Sequence, residues 1–255
     1  MKAYSTGIAA YDLGSLPEGG RVLDTPIYYV DDKLLEPISN LGPRVVDLSW
    51  GRYQAFIIEN VLTAAECNML IDVTEQLGFG AAAPGINTPS GMRMNQTVHW
   101  LANDATAAEL FRRIAPHLPE EIDGCRLMSG VSQRFNTYRY LRGEQFKPHV
   151  DGDWPGFRLN PETKQMDVWD EGRSQLSMLL YLNGPEEGIE GGNTLLFDGR
   201  SVMHAVIPKR GSALFFRHGL HNASVLHAGE VVTSEIPKYV IRINIMYEAE
   251  HPNFG

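Results

Sequence analysis

A chain of 255 residues, 43% of them hydrophobic and 21% charged, is long enough to bury a core as one large domain or as a domain with an extension. Its net charge of −9, with no basic run, argues against a nucleic-acid partner, because holding phosphates needs clustered lysine and arginine. No apolar run approaches the length of a membrane span, the two cysteines Cys67 and Cys125 make neither a disulfide framework nor a Cys-x-x-Cys metal signature, and the N-terminal MKAYSTGIAAYDLG has no apolar core for a signal peptide. The expectation is a cytoplasmic protein with no membrane partner; no motif encodes an oligomeric state.

Residues 1–45, rich in Gly, Pro and Asp with apolar patches such as Ile27-Tyr28-Tyr29-Val30, read as an N-terminal extension of a domain spanning 46–255. Ala55-Phe56-Ile57-Ile58 reads as a strand. Thr63 and Glu66 then form a capping box for a helix that carries Cys67, Leu70, Ile71, Thr74 and Leu77 on one face and stops at Gly78. Residues 78–95, broken by four glycines and two prolines, predict a loop, with Arg93 and Asn95 as its polar candidates for substrate contact. A second helix is predicted from Thr106 and Glu109, which repeat the capping pattern, to His117-Leu118-Pro119. From Val131 the period changes to that of strands, expected over 131–141, 146–151, 175–183, 193–198, 201–207, 211–216, 224–227 and 238–247. Residues 152–173 read as a polar loop at a barrel mouth, with Trp154 and Trp169 at the entrance. Two helices followed by a run of short strands predict a mainly-β jelly roll with helices packed on the outside.

The chemistry-bearing stretch is Tyr138–Asp153, YRYLRGEQFKPHVDGD. In an extended chain His149 and Asp151 point the same way, and an imidazole with a carboxylate suits a divalent transition metal. A third donor would complete a facial set with positions left open. His-x-Asp alone is weak evidence; two further blocks raise it, SQLSMLLYLNGPEEGIEGGNTLLF from Ser174 and GSALFFRHGLHNASVLHAGEVVTSEIPKYVIRINIMY from Gly211.

In that order the three blocks resemble the iron(II) and 2-oxoglutarate-dependent dioxygenases, within them the prolyl 4-hydroxylase-like branch. The resemblance implies a double-stranded β-helix, iron(II), 2-oxoglutarate and O2 as co-substrates, and ascorbate to keep the iron reduced. It implies His149, Asp151 and a distal histidine as metal ligands. Leu226-His227-Ala228-Gly229 matches the distal-histidine strand, with His221 as the rival. It also implies a basic anchor for the distal carboxylate of 2-oxoglutarate. Lys238 stands eleven positions after His227, and Arg242, on the same strand face, competes with it. Tyr140 and Tyr181 occupy positions from which the family supplies hydroxyls to the cofactor, and Gly191-Gly192-Asn193-Thr194 predicts a tight turn. The implied reaction converts 2-oxoglutarate to succinate and carbon dioxide while an unactivated C–H bond is hydroxylated, desaturated or cyclised. A small molecule such as a free amino acid or metabolite is the expected substrate, a prolyl residue in a protein or peptide the alternative, and a non-catalytic metal-binding sensor the alternative from another class.

Overall fold

The central strands are apolar on both faces, and that dictates the layers. In the computed structural model, which describes residues 3–12, 25–80, 91–169 and 171–249, the strand Gly172–Tyr181 buries Leu176, Met178 and Leu180 in one cluster and Leu179 and Tyr181 in another. The strand Lys238–Glu248 does the same, with Ile241, Ile243 and Ile245 on one side and Val240 on the other. Alternate side chains leave a strand on opposite faces, so each face needs its own cover. Helices cover one face and a second sheet covers the other.

The elements are β1 (Thr6–Asp12), β2 (Thr25–Val30), β3 (Arg44–Asp47), β4 (Ala55–Glu59), α1 (Ala64–Leu77), β5 (Gln96–Ala102), α2 (Asp104–Ile114), β6 (Glu121–Ile122), β7 (Cys125–Val131), β8 (Arg134–Tyr140), β9 (Phe146–His149), β10 (Gly156–Leu159), β11 (Met166–Trp169), β12 (Gly172–Tyr181), β13 (Thr194–Asp198), β14 (Ser201–Val206), β15 (Ala213–Arg217), β16 (Leu226–Gly229) and β17 (Lys238–Glu248). The large sheet runs β1-β2-β5-β8-β17-β12-β15-β4-β3, with β7 added to β17 and β6 to β7; the small sheet runs β14-β13-β16-β9. The ladders around the site are antiparallel, whereas β2 joins β5 in parallel. Cys67, Leu70 and Val73 of α1 and Leu110 and Ile114 of α2 pack against the outer face of the large sheet. The architecture is the jelly roll with external helices that the pattern predicts.

Several local expectations need correction. α1 opens on its predicted capping box, with Glu66 N–H donating to Thr63 Oγ1 (3.2 Å) and Thr63 N–H to Glu66 Oε2 (2.9 Å). α2 starts earlier than the Thr106–Glu109 pair predicts. Asn103, an equally good cap, accepts from Thr106 N–H at 2.9 Å, so the Thr106 hydroxyl instead accepts from Leu34 N–H (3.0 Å). The expected strand 131–141 is two strands, parted at Ser132 and Gln133, where Gln133 N–H turns to Phe157 O (2.8 Å). Residues 152–173 are not a loop throughout, because β10 and β11 form a hairpin. Its exposed face pairs Arg158 with Asp167 and reads as polar, while Phe157 and Leu159 pack against Ala9, Ile27 and Leu101. The predicted strand over 146–151 ends at His149. The pattern assigns none of β1, β2, β3, β5 and β6; Ile27-Tyr28-Tyr29-Val30 lies within β2. Residues 81–90 of the predicted loop lie outside the described residues.

The two helices are locked to each other by a buried ion cluster. Arg113, whose side chain is 3% exposed, meets Glu66 Oε1 at 2.7 Å and Glu109 Oε1 at 2.8 Å, and donates to the carbonyls of Val61 (3.0 Å) and Glu36 (2.7 Å). Hydrogen bonds from Arg112 and Arg113 hold the Glu109 carboxyl down at about 2. Replacing Arg113 by leucine leaves two carboxylates buried without their shared cation and is expected to cost about 3–5 kcal/mol of stability, measured by urea unfolding. An unchanged midpoint would contradict the role assigned to the cluster.

Candidate metal and cofactor site

β16 and β9 are neighbours in the small sheet, and their register sets His227 directly opposite His149. Beyond the end of β9 the chain turns inward at Asp151, whose carbonyl accepts from Gly219 N–H at 2.9 Å. One donor atom from each of His149, Asp151 and His227 lies within 4.8 Å of the others. His149 Nε2 is 3.7 Å from Asp151 Oδ1, and His227 Nε2 is 3.7 Å from Asp151 Oδ2. Each ring donates through Nδ1 to a carbonyl two residues back, His149 to Lys147 O (2.8 Å) and His227 to Val225 O (3.1 Å). Those bonds put the proton on Nδ1 and turn both Nε2 lone pairs inward.

Electrostatics prepares the same donor set. Burial, reinforced by His227, pushes the His149 pKa down to about 3, and burial lowers that of His227. Burial alone would raise Asp151, but Arg242, its Nε 2.9 Å from Oδ2, leads the positive groups that drive it down. Two neutral imidazoles and an ionised carboxylate therefore coexist at neutral pH, a combination that fits iron(II). Among the described residues the cluster has no fourth side-chain donor, so the set is open rather than closed like a structural zinc site. His221 lies apart. It is exposed, 3.7 Å from Asp123, and its Nδ1 accepts from Ala223 N–H.

Above these donors the pocket is walled by the inward residues of β17, Lys238, Val240 and Arg242, together with Tyr138 and Tyr140 of β8 and Thr194 of β13. Lys238 is 3% exposed, yet among the described residues no carboxylate comes within ion-pair distance of it. Its Nζ donates to Gly192 O and lies 5.5 and 5.4 Å from the ring centres of Tyr140 and Tyr181. Burial pushes its pKa down to about 7. Gly192, at φ 66°, makes this approach possible, because a Cβ there would stand 3.1 Å from Lys238 Cδ. A buried ammonium hydrogen-bonded to a carbonyl and flanked by two rings, with Glu230 the opposing charge that partly offsets its burial but makes no ion pair with it, fits an incoming carboxylate. Tyr181 is fully buried and donates to Thr194 Oγ1 at 2.7 Å; burial raises the pKa of both Tyr181 and Tyr140. Arg242 is committed through Nε to Asp151, but its Nη2 is buried without a partner.

Arg93 approaches from the chain segment that bridges to Phe146. Its guanidinium stacks over Tyr138 (4.7 Å) and Phe146 (5.0 Å), both walls of the pocket, and Nη2 is buried without a partner. Asn95, 3% exposed, accepts from Arg93 Nε at 3.2 Å and so holds the guanidinium rather than facing the pocket. Trp154 is 37% exposed and is tied through its backbone N–H to Ser174 Oγ (2.9 Å).

The family model described as the 2OG-Fe(II) oxygenase superfamily matches residues 135–246, from β8 through β17. Residues 135–246 are a 2OG-Fe(II) oxygenase domain. Among solved structures, a prolyl hydroxylase from Trichoplax adhaerens, in complex with a hypoxia inducible factor oxygen degradation domain peptide fragment, is 17% identical at a TM-score of 0.51, over 77% of this chain and 84% of that one. A viral collagen prolyl hydroxylase from Paramecium Bursaria Chlorella virus-1 is 20% identical at a TM-score of 0.48, over 77% and 96% of the two chains. A Pseudomonas putida prolyl-4-hydroxylase is 16% identical at a TM-score of 0.48, over 77% and 93%. No curated protein matches the chain.

An oxygenase of this family uses iron(II), 2-oxoglutarate and O2, and the donor set and the buried lysine described above fit that equipment. Sequence reasoning passed over Tyr138 and Phe146 as pocket walls and Ser174 and Ser177 altogether, and gave His218 no role beyond standing with His221 and His227 in the segment that supplies the distal donor. The signal for the serines was available, as hydroxyls on inward positions of an otherwise apolar strand. Without ligand, Lys238 is a stability cost. Its folded pKa, about 7, lies below the ordinary 10.5, so the penalty is fully present below pH 7 and fades as pH rises toward 10.5. In the ligand-free oxygenase Lys238→Met should add on the order of 3 kcal/mol near pH 7. Unfolding curves taken across that pH range check this; a gain that does not shrink with rising pH would contradict it.

Proposed function

We propose that this oxygenase holds iron(II) through His149, Asp151 and His227, anchors the distal carboxylate of 2-oxoglutarate at Lys238, and hydroxylates an unactivated C–H bond of a small molecule such as a free amino acid. The observation that carries the reading is the convergence of the three donors beneath a buried cation that has no carboxylate within ion-pair distance among the described residues. Iron(II) with 2-oxoglutarate supplies the oxidising chemistry, in which dioxygen places one atom in succinate and the other in the substrate as carbon dioxide leaves.

The chain's own residues do the rest. Lys238 would neutralise the cofactor's distal carboxylate, and the rings of Tyr140 and Tyr181, which flank its ammonium, would keep water away. Tyr181 also fixes the Thr194 hydroxyl on the pocket wall. Lys238 is preferred to Arg242 as anchor because the Arg242 Nε is already engaged by Asp151, where it keeps the carboxylate ionised. Arg93 offers an unused Nη2 beside the aromatic walls. A free amino acid brings a carboxylate to meet it; a residue inside a peptide does not. Asn95 sets the orientation of that guanidinium, and Trp154 stands at the rim.

The Trichoplax adhaerens neighbour is a complex with a peptide fragment, which makes a prolyl residue in a peptide the second substrate class to test. Succinate formation by the purified protein with iron(II), ascorbate, 2-oxoglutarate and air is measured across free amino acids, their amides and proline-containing peptides. A free amino acid should stimulate turnover and its amide should not. Arg93→Met should raise KM for that amino acid about 10-fold or more, the worth of a hydrogen bond to a charged group, while KM for 2-oxoglutarate moves less. Stimulation by peptides alone would overturn the small-molecule reading.

A further inference from the structure

The side of Asp151 that faces the large sheet is held by a chain of hydrogen bonds that nothing above uses. Asp151 Oδ2 receives Ser177 Oγ at 2.6 Å and Arg242 Nε at 2.9 Å. Among the described residues no hydrogen bond reaches Oδ1, which lies 3.7 Å from His149 Nε2. A carboxylate only accepts, so the one hydroxyl proton of Ser177 is committed to Asp151. Ser177 Oγ accepts a long contact from Arg242 Nε at 3.4 Å, and its closer neighbour, His218 Nδ1 at 2.7 Å, must then carry a proton and donate it. At the other end Trp154 N–H donates to Ser174 Oγ at 2.9 Å. That leaves the Ser174 hydroxyl proton for His218 Nε2, 2.8 Å away. Polarity therefore runs in one direction, from Ser174 through His218 and Ser177 to Asp151, and it requires the single neutral tautomer of His218 protonated on Nδ1.

Burial supports that protonation state. His218 is 2% exposed. Burial first, and then the charge of Arg242, outweigh the pull of Asp151 and the Ser174 backbone and push its pKa down to about 3. The cost of placing these groups is the second argument. Ser174 and Ser177 are 1% and 0% exposed on β12, whose other buried residues include Leu176, Met178, Leu179 and Leu180. Folding alone favours apolar side chains there, because a buried hydroxyl or imidazole is tolerated only when every partner is in place. The relay spends that specificity on one carboxylate.

We propose that Ser174, His218 and Ser177 form a positioning relay that saturates Oδ2 of Asp151 and so presents Oδ1 as its metal-binding oxygen. The inference rests on the reading of Asp151 as a metal ligand. His218 is a positioning residue, since it touches neither the other donors nor the pocket.

Cobalt(II), an air-stable substitute for iron(II) with a visible spectrum sensitive to its ligands, is titrated into the full chain and its variants. Ser177→Ala and His218→Leu should each weaken cobalt binding about 10- to 100-fold, the usual effect of losing a partner behind a ligand, and should alter the visible bands. Combined, they should be no weaker than the worse single variant, as members of one chain. His218→Asn, whose amide N–H falls near the Nδ1 position, should restore affinity to within about 2-fold. His218→Gln, whose amide reaches toward Nε2, should not. Should His218→Leu fail to fold, Ser177→Ala and the Asn and Gln pair carry the test. Wild-type affinity and spectrum in Ser177→Ala and His218→Leu, alongside lost binding in His149→Ala, would overturn the relay and leave the metal site standing. Equal behaviour of the Asn and Gln variants would overturn its direction. Wild-type cobalt binding in His149→Ala would overturn the metal site itself, and the relay with it.

Discussion

The pairing of β16 with β9 is the constraint on which the site depends. It sets His227 across from His149, and the turn after β9, tied by Gly219 N–H to the Asp151 carbonyl, delivers the carboxylate between them. Residues nearly eighty positions apart in sequence meet because two short strands share a ladder at the edge of the small sheet. The large sheet contributes what the small one lacks. Alternation along β17 turns Lys238, Val240 and Arg242 into the pocket while Ile241, Ile243 and Ile245 anchor the same strand against the helix layer. The rigidity of the site is thus borrowed from the outer core, through strands that are buried on both faces.

Charge is distributed unevenly in this interior. Lys238 and Arg242 line the pocket, Arg93 stacks on the rings of two of its walls, and Asp151 is the one carboxylate among the lining residues. Arg242 alone of the three is paired with it. Buried cations without anions are costly in an empty protein, and the cost is relieved when anions bind. A 2-oxoglutarate dianion answers that imbalance. Burial keeps the histidines neutral, and the positive groups led by Arg242 keep the aspartate ionised, the protonation states a divalent metal requires.

Much of this was legible in the chain, for reasons that differ by element. The capping box at Thr63 and Glu66 is a local signal and appears as read. The strands that form the barrel announce themselves by period and length, although their ends shift where turn contacts compete with the ladder, as at Ser132 and Gln133. α2 begins at Asn103 because two good caps stood close together and the pattern could not rank them. The hairpin of β10 and β11 was hidden because its charged face dominates the composition of the segment. In the site, His149 and Asp151 lie within one motif, and His227 came from resemblance. Register, which no single sequence displays, is what brings it opposite His149 while His221 stays at the surface. The joint role of Ser174, Ser177 and His218 was hidden because it lies in contacts between β12 and the segment after β15, and such contacts exist only in three dimensions.

Anomalous diffraction at the iron absorption edge, from crystals of the chain loaded with iron(II) without oxygen, tests the convergence most directly. The account predicts a single strong peak bonded to His149 Nε2, Asp151 Oδ1 and His227 Nε2, with its remaining positions held by water or 2-oxoglutarate. A peak elsewhere, or one enclosed by a fourth protein side chain, would contradict it.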